Sequence, residues 1–223
     1  MAIQTKNYHR LLEELGSSVT LVAVSKTKPV ADIMALYQEG QRDFGENYVQ
    51  ELLEKAPQLP ADIRWHFIGH LQTNKVKLIL PVVQLIHGVD SLKLLKEINK
   101  QAVKSGKQIN CLLQVHIAQE ETKFGLDEAE LSQLLQTVVA EGMDQVRICG
   151  LMGMASFSSD TGLLVKEFRY LRQLFDTCKE LVPAGHPFQY LSMGMSSDYR
   201  LAIAEGSNMV RIGSLLFGNR EKK

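Results

Sequence analysis

The residues best placed to do chemistry are Lys26, Arg211 and two small-residue stretches near the end of the chain. Lys26 closes the run VTLVAVSK, in which Val19 to Val24 are apolar or β-branched and Pro29 stands where a helix would begin. A lysine at the carboxyl end of a buried strand points to the mouth of an α/β fold, where sites are built. The stretch Ser192–Asp198, SMGMSSD, reads as a loop entering a helix whose free N–H groups could hold a phosphate. In VRIGS, Arg211 lies inside the last strand and Gly213 and Ser214 follow it as a second anion nest. Simpler roles stand beside these. Lys26 and Lys28 could be loop lysines, Ser196 and Ser197 helix caps, and Arg211 the partner of a carboxylate. Lysine, phosphate site and arginine together suggest an aldehyde cofactor bearing a phosphate, bound as a Schiff base.

Such a site needs a scaffold that gathers strand ends, and the chain supplies one. Apolar runs at 19–24, 43–45, 65–68, 82–89, 109–117, 146–152, 190–193 and 209–212 alternate with segments of helical spacing. A short amphipathic helix over 4–15 precedes them, and Ser91 is placed to cap a helix running to about Ser105. No Asn-Gly or Asp-Gly hairpin signal separates the strands. Eight strand–helix units predict a TIM-type (β/α)8 barrel formed by one domain over 1–223, with a doubly wound sheet as the competing fold. Polar residues and glycines collect after the strands, as at Gly45-Glu46-Asn47, Gly69-His70 and Met152-Gly153.

Composition narrows the function classes. The 223 residues carry 25 Lys plus Arg against 25 Asp plus Glu, so no net charge draws the chain to nucleic acid or an anionic membrane. No apolar stretch approaches membrane-spanning length, and MAIQTKNYHRLLEEL lacks the apolar core of a signal peptide. Cys111, Cys149 and Cys178 are odd in number and far apart, which predicts free buried thiols and a cytoplasmic protein.

VAVSKTKP, FGENYVQE, WHFIGHLQTNK, GLMGM, LSMGMSSDYRLAI and VRIGSLLFG, in this order from about residue 20 to 218, resemble the pyridoxal phosphate homeostasis proteins. These are single-domain relatives of the alanine racemase N-terminal barrel. The resemblance implies that Lys26 holds pyridoxal 5'-phosphate covalently, that Ser196, Gly213 and Ser214 bind its phosphate, and that Arg211 faces the pyridine nitrogen. It places Asn47, His66 and Met193 around the rest of the pocket. It implies a protein that holds or delivers the cofactor in vitamin B6 homeostasis, with apo-forms of cofactor-dependent enzymes as partners and no assigned turnover. The alternative is an amino-acid racemase or lyase, but the second acid–base of alanine racemase comes from a further domain and a partner subunit. Without such a domain a monomer is expected. One departure is His116, where the family often has asparagine; EETKFG after it keeps the pattern, and no second ligand stands at a metal-like spacing.

Overall fold

A computed structural model describes residues 3–120 and 122–218, so the NREKK tail lies outside the described residues. Eight strands form a closed parallel barrel in chain order: β1 (Thr20–Val24), β2 (Asp43–Glu46), β3 (Arg64–Phe67), β4 (Val83–Val89), β5 (Ile109–Val115), β6 (Val146–Gly153), β7 (Tyr190–Met195) and β8 (Met209–Ile212). β8 pairs back to β1, from Thr20 opposite Met209 to Ala23 opposite Ile212, and this closure decides between the two folds left open by the sequence.

The helices are α1 (Thr5–Leu15), α2 (Val30–Gln38), α3 (Val49–Lys55), α4 (Val76–Ile79), α5 (Leu92–Ser105), α6 (Glu128–Ala140), α7 (Thr161–Leu181), α8 (Tyr199–Ala204) and α9 (Ser214–Phe217). Ser91 caps α5 by accepting from the Leu94 N–H, and Gly106 ends it in the left-handed region. Thr73–Lys75 forms a 3-10 turn, and α4 adds a single turn before Pro81 stops it.

Strand alternation splits the buried side chains into two sets. Val22, Leu85, Leu112, Cys149, Met152 and Met209 form a small cluster inside the barrel. Ala23, Phe44, Phe67, Ile86 and Leu113 belong to the larger core shared with the helices, through Ile33, Leu36 and Leu95. Burying Phe44 or Phe67 completely contributes about 1.5–3 kcal/mol each. The three cysteines are free and buried, as expected. Among the described residues no helix is long and apolar enough to cross a membrane.

Candidate functional site

The strand ends converge on a cavity of about 560 Å³ at the carboxyl end of the barrel. Its wall includes Lys26, Asn47, Ser196, Arg211, Gly213 and Ser214, six residues singled out in the sequence. Ile68, Met154, Phe157 and Met195 supply the apolar part.

Lys26 sits on a turn clamped from both sides. Ser25 N–H donates to Gly45 O at 2.9 Å, and the Ser25 hydroxyl donates to Glu46 Oε1 at 2.7 Å. Lys55 Nζ donates to Ser25 O at 3.0 Å, to Glu46 Oε1 at 2.8 Å and to Glu51 Oε2 at 2.6 Å. On the far side of Lys26, the Thr27 N–H donates to Glu51 Oε2 at 2.7 Å, with Thr27 held at φ 63°. A non-glycine residue in that region persists only where its surroundings hold it. Burial pulls the Glu51 carboxyl upward, and the bonds from Lys55 and Thr27 outweigh it, leaving it below its ordinary range. Burial pushes fully enclosed Glu46 above its range despite Lys55 and Ser25. Lys28, the other lysine of this loop, also lines the cavity, and its Nζ donates to Phe217 O at 3.0 Å, at the end of α9.

Asn47 lies beyond the end of β2, before α3 begins, and its Oδ1 is buried without a hydrogen-bond partner. Its backbone is fixed by close approach to Gly69, where an added Cβ would stand 2.3 Å from Asn47 O. Gly69→Ala should therefore move Asn47 and cost about 1–3 kcal/mol of stability. Urea unfolding measures the cost, and an unchanged midpoint would contradict this packing.

The anion nest joins two loops. Gly213 N–H donates to the Ser196 hydroxyl at 3.2 Å, bringing the β7–α8 loop against the start of α9. Gly194, at φ 94°, permits the approach of α8: a Cβ there would lie 2.7 Å from that of Ala202. Asp198 shapes the loop by accepting from Met195 N–H at 2.6 Å. Arg211 is buried on the inner face of β8. Its Nη1 donates to Ser192 O at 2.8 Å and Ser192 Oγ at 2.6 Å, and its Nη2 to Gly153 O at 2.9 Å. Burial brings its pKa down to about 10, with the Asp198 charge opposing, so it stays protonated at neutral pH. The three bonds leave part of its five-donor fork available.

His66 and Met193, expected in the pocket, do not line this cavity. The inward face of β3 carries Arg64 and His66, and Ile68 two residues further on reaches the mouth, so His66 lies one layer too deep. Met193 points outward into the large core, and Met195 takes the place at the cavity wall. A period of two counted on from His66 could have found Ile68, whereas Met195 reaches the wall because the strand register shifts at Gly194, held at φ 94°. Phe157, 83% exposed, carried no such signal because it stands in the loop after β6. His116 Nε2 bonds Glu120 O at 3.0 Å and serves its own loop; no group of residues suited to a metal occurs among the described residues.

The comparisons with known proteins agree with one another. The alanine racemase N-terminal domain model matches residues 3–221. Pyridoxal phosphate homeostasis proteins of Pasteurella multocida and Schizosaccharomyces pombe are 38% and 41% identical, each over 92% of this chain and over 88% and 86% of their own. The structure of PipY from Synechococcus elongatus with PLP bound is similar at a TM-score of 0.86 and 35% identity, over 96% of this chain and 99% of that one. Alanine racemase from Bartonella henselae shares the fold at a TM-score of 0.72 and 18% identity, over 96% of this chain and 59% of its own. The chain belongs to the pyridoxal phosphate homeostasis proteins, built on the alanine racemase N-terminal domain.

Proposed function

We propose that this protein binds pyridoxal 5'-phosphate at the barrel mouth and serves its intracellular homeostasis. The observation that carries the reading is the meeting of Lys26, protonated Arg211 and the Ser196–Gly213–Ser214 nest on one cavity wall. The chain's own donors and acceptors fit the group. The orphaned Asn47 Oδ1 needs a polar partner, and the joined loops offer N–H and hydroxyl donors for a phosphate. When bound, the cofactor supplies an aldehyde that Lys26 holds as a Schiff base. Ser196, Gly213 and Ser214 hold the phosphate, and Arg211 holds the pyridine nitrogen. A guanidinium there keeps that nitrogen unprotonated and weakens the ring as an electron sink. The free thiols fit a reducing cytoplasm, where apo-enzymes would be the recipients.

A holding role suits these residues better than turnover. Among the described residues no tyrosine lines the cavity, and Lys28 is occupied with the end of α9. No second acid–base group therefore stands ready across the cavity from Lys26. Loaded wild type should exchange the Cα hydrogen of alanine for deuterium barely faster than free cofactor, read by proton NMR in heavy water. Arg211→Glu, at equal cofactor occupancy, should exchange it faster. Rapid exchange in wild type with sustained racemisation would replace this reading by that of a racemase.

A further inference from the structure

A continuous row of polar side chains crosses the barrel interior, from the amino-terminal ends of the strands to Arg211. Asp43 and His66 border a second, small cavity of about 90 Å³ at that end, with Thr20, Arg64, Asn110 and Tyr190. His66 Nε2 lies 2.9 Å from Asp43 Oδ1, and His66 Nδ1 lies 2.9 Å from His87 Nε2. His87 Nδ1 lies 3.2 Å from Ser192 Oγ, which receives Arg211 Nη1 at 2.6 Å. His87 and Ser192 are fully buried and His66 nearly so.

The two ends fix the direction of every bond between them. Arg211 can only donate, so Ser192 Oγ accepts from it and must donate its own hydrogen elsewhere. His87 Nδ1 is the acceptor that remains, which places the His87 proton on Nε2. That proton is donated to His66 Nδ1, which places the His66 proton on Nε2, aimed at Asp43. Asp43 accepts it as a carboxylate: burial raises its pKa, but bonds from Arg64 and His66 outweigh burial and bring it to about 2. Arg64 Nε donates to the same Oδ1 at 2.8 Å. Burial, with the positive charge of Arg211 adding to it, keeps His87 well below its ordinary range and therefore neutral. The reverse direction would send two donors to Ser192 Oγ and leave its hydroxyl hydrogen without an acceptor inside the barrel.

We infer that Asp43, His66, His87 and Ser192 form a one-way hydrogen-bond chain that holds the donor face of Arg211 at the mouth, with His87 a positioning residue and the Asp43–Arg64 pair its anchor at the opposite end. Buried polar groups among Val22, Leu85, Leu112 and Met209 are costly unless every member is satisfied, and here every member is. Arg211 has no carboxylate among the hydrogen-bond partners described above, so the aligned dipoles of this chain link its buried charge to Asp43. The inference rests on the cofactor reading only for what Arg211 holds.

The test begins on ligand-free protein. Long-range proton–nitrogen NMR of the imidazoles at neutral pH should show His66 and His87 as Nε2–H tautomers. Asp43→Asn should release His66 into a mixture. Ser192→Ala should disturb His87 first. Nδ1–H on His87 would overturn the direction of the chain. With pyridoxal phosphate added, Asp43→Asn, which touches nothing at the mouth, should bind about three- to tenfold more weakly and show an altered visible spectrum. A merely structural role would lower stability and leave that spectrum unchanged. Identical affinity and spectrum in both variants would overturn the link to Arg211. If Asp43→Asn does not fold, the smaller change Ser192→Ala decides alone. Failure of wild type to bind the cofactor would contradict the cofactor reading instead, and the tautomers would still test the chain's direction.

Discussion

Lys26→Ala should leave a folded barrel that no longer retains pyridoxal phosphate covalently. Wild type loaded with the cofactor should stay yellow through gel filtration, whereas the variant should lose the colour. The loss should be complete because the neighbouring amine on the cavity wall is already bonded. Lys28 is buried, and its Nζ donates to Phe217 O at 3.0 Å and Gly218 O at 3.5 Å. Freeing it would break hydrogen bonds of a charged group, about 1.5–3 kcal/mol each, and would loosen α9 beside the phosphate nest. The turn that carries the Lys26 side chain is, by contrast, held through the backbone of Ser25 and Thr27. Removing that side chain therefore leaves the clamp of Glu46, Glu51 and Lys55 in place. Lys28→Ala is the control: it should keep the covalent link and weaken retention only through α9. Full colour retention in Lys26→Ala would contradict the assignment.

Ser196→Ala should weaken binding of pyridoxal phosphate by roughly ten- to a hundred-fold, since a hydrogen bond to a charged group is worth about 1.5–3 kcal/mol. The hydroxyl also receives the Gly213 N–H at 3.2 Å, so its loss loosens the junction of the two loops. Pyridoxal, which lacks the phosphate, separates these effects. It should bind wild type and variant almost equally if Ser196 acts on the phosphate. Equal weakening of both ligands, measured by absorbance titration, would mean that Ser196 acts through the loop alone.

The barrel was legible because its strands are continuous apolar runs separated by helical periods, with no hairpin signal between them. Closure was not, since β8 pairing to β1 joins Thr20 to Met209 across nearly the whole chain. The same locality limit governs the site. Lys26, Arg211 and the SMGMSSD loop announced themselves by their place at strand ends. His66 and Met193 do not line the cavity, because motif membership ignores which face of a strand a residue occupies: His66 points inward a layer below the mouth, and Met193 points outward. The chain from Asp43 to Arg211 left no sequence signal, because its members come from β2, β3, β4, β7 and β8 and meet only when the barrel closes.

The central claim is that Lys26 is the attachment point of a cofactor held by the mouth of this barrel. Borohydride reduction of the loaded protein, followed by mass-spectrometric mapping of the modified peptide, tests it most directly. One cofactor per chain, fixed on Lys26 and absent from Lys26→Ala, is the predicted result. Label on Lys28, or no label on any lysine, would contradict the account.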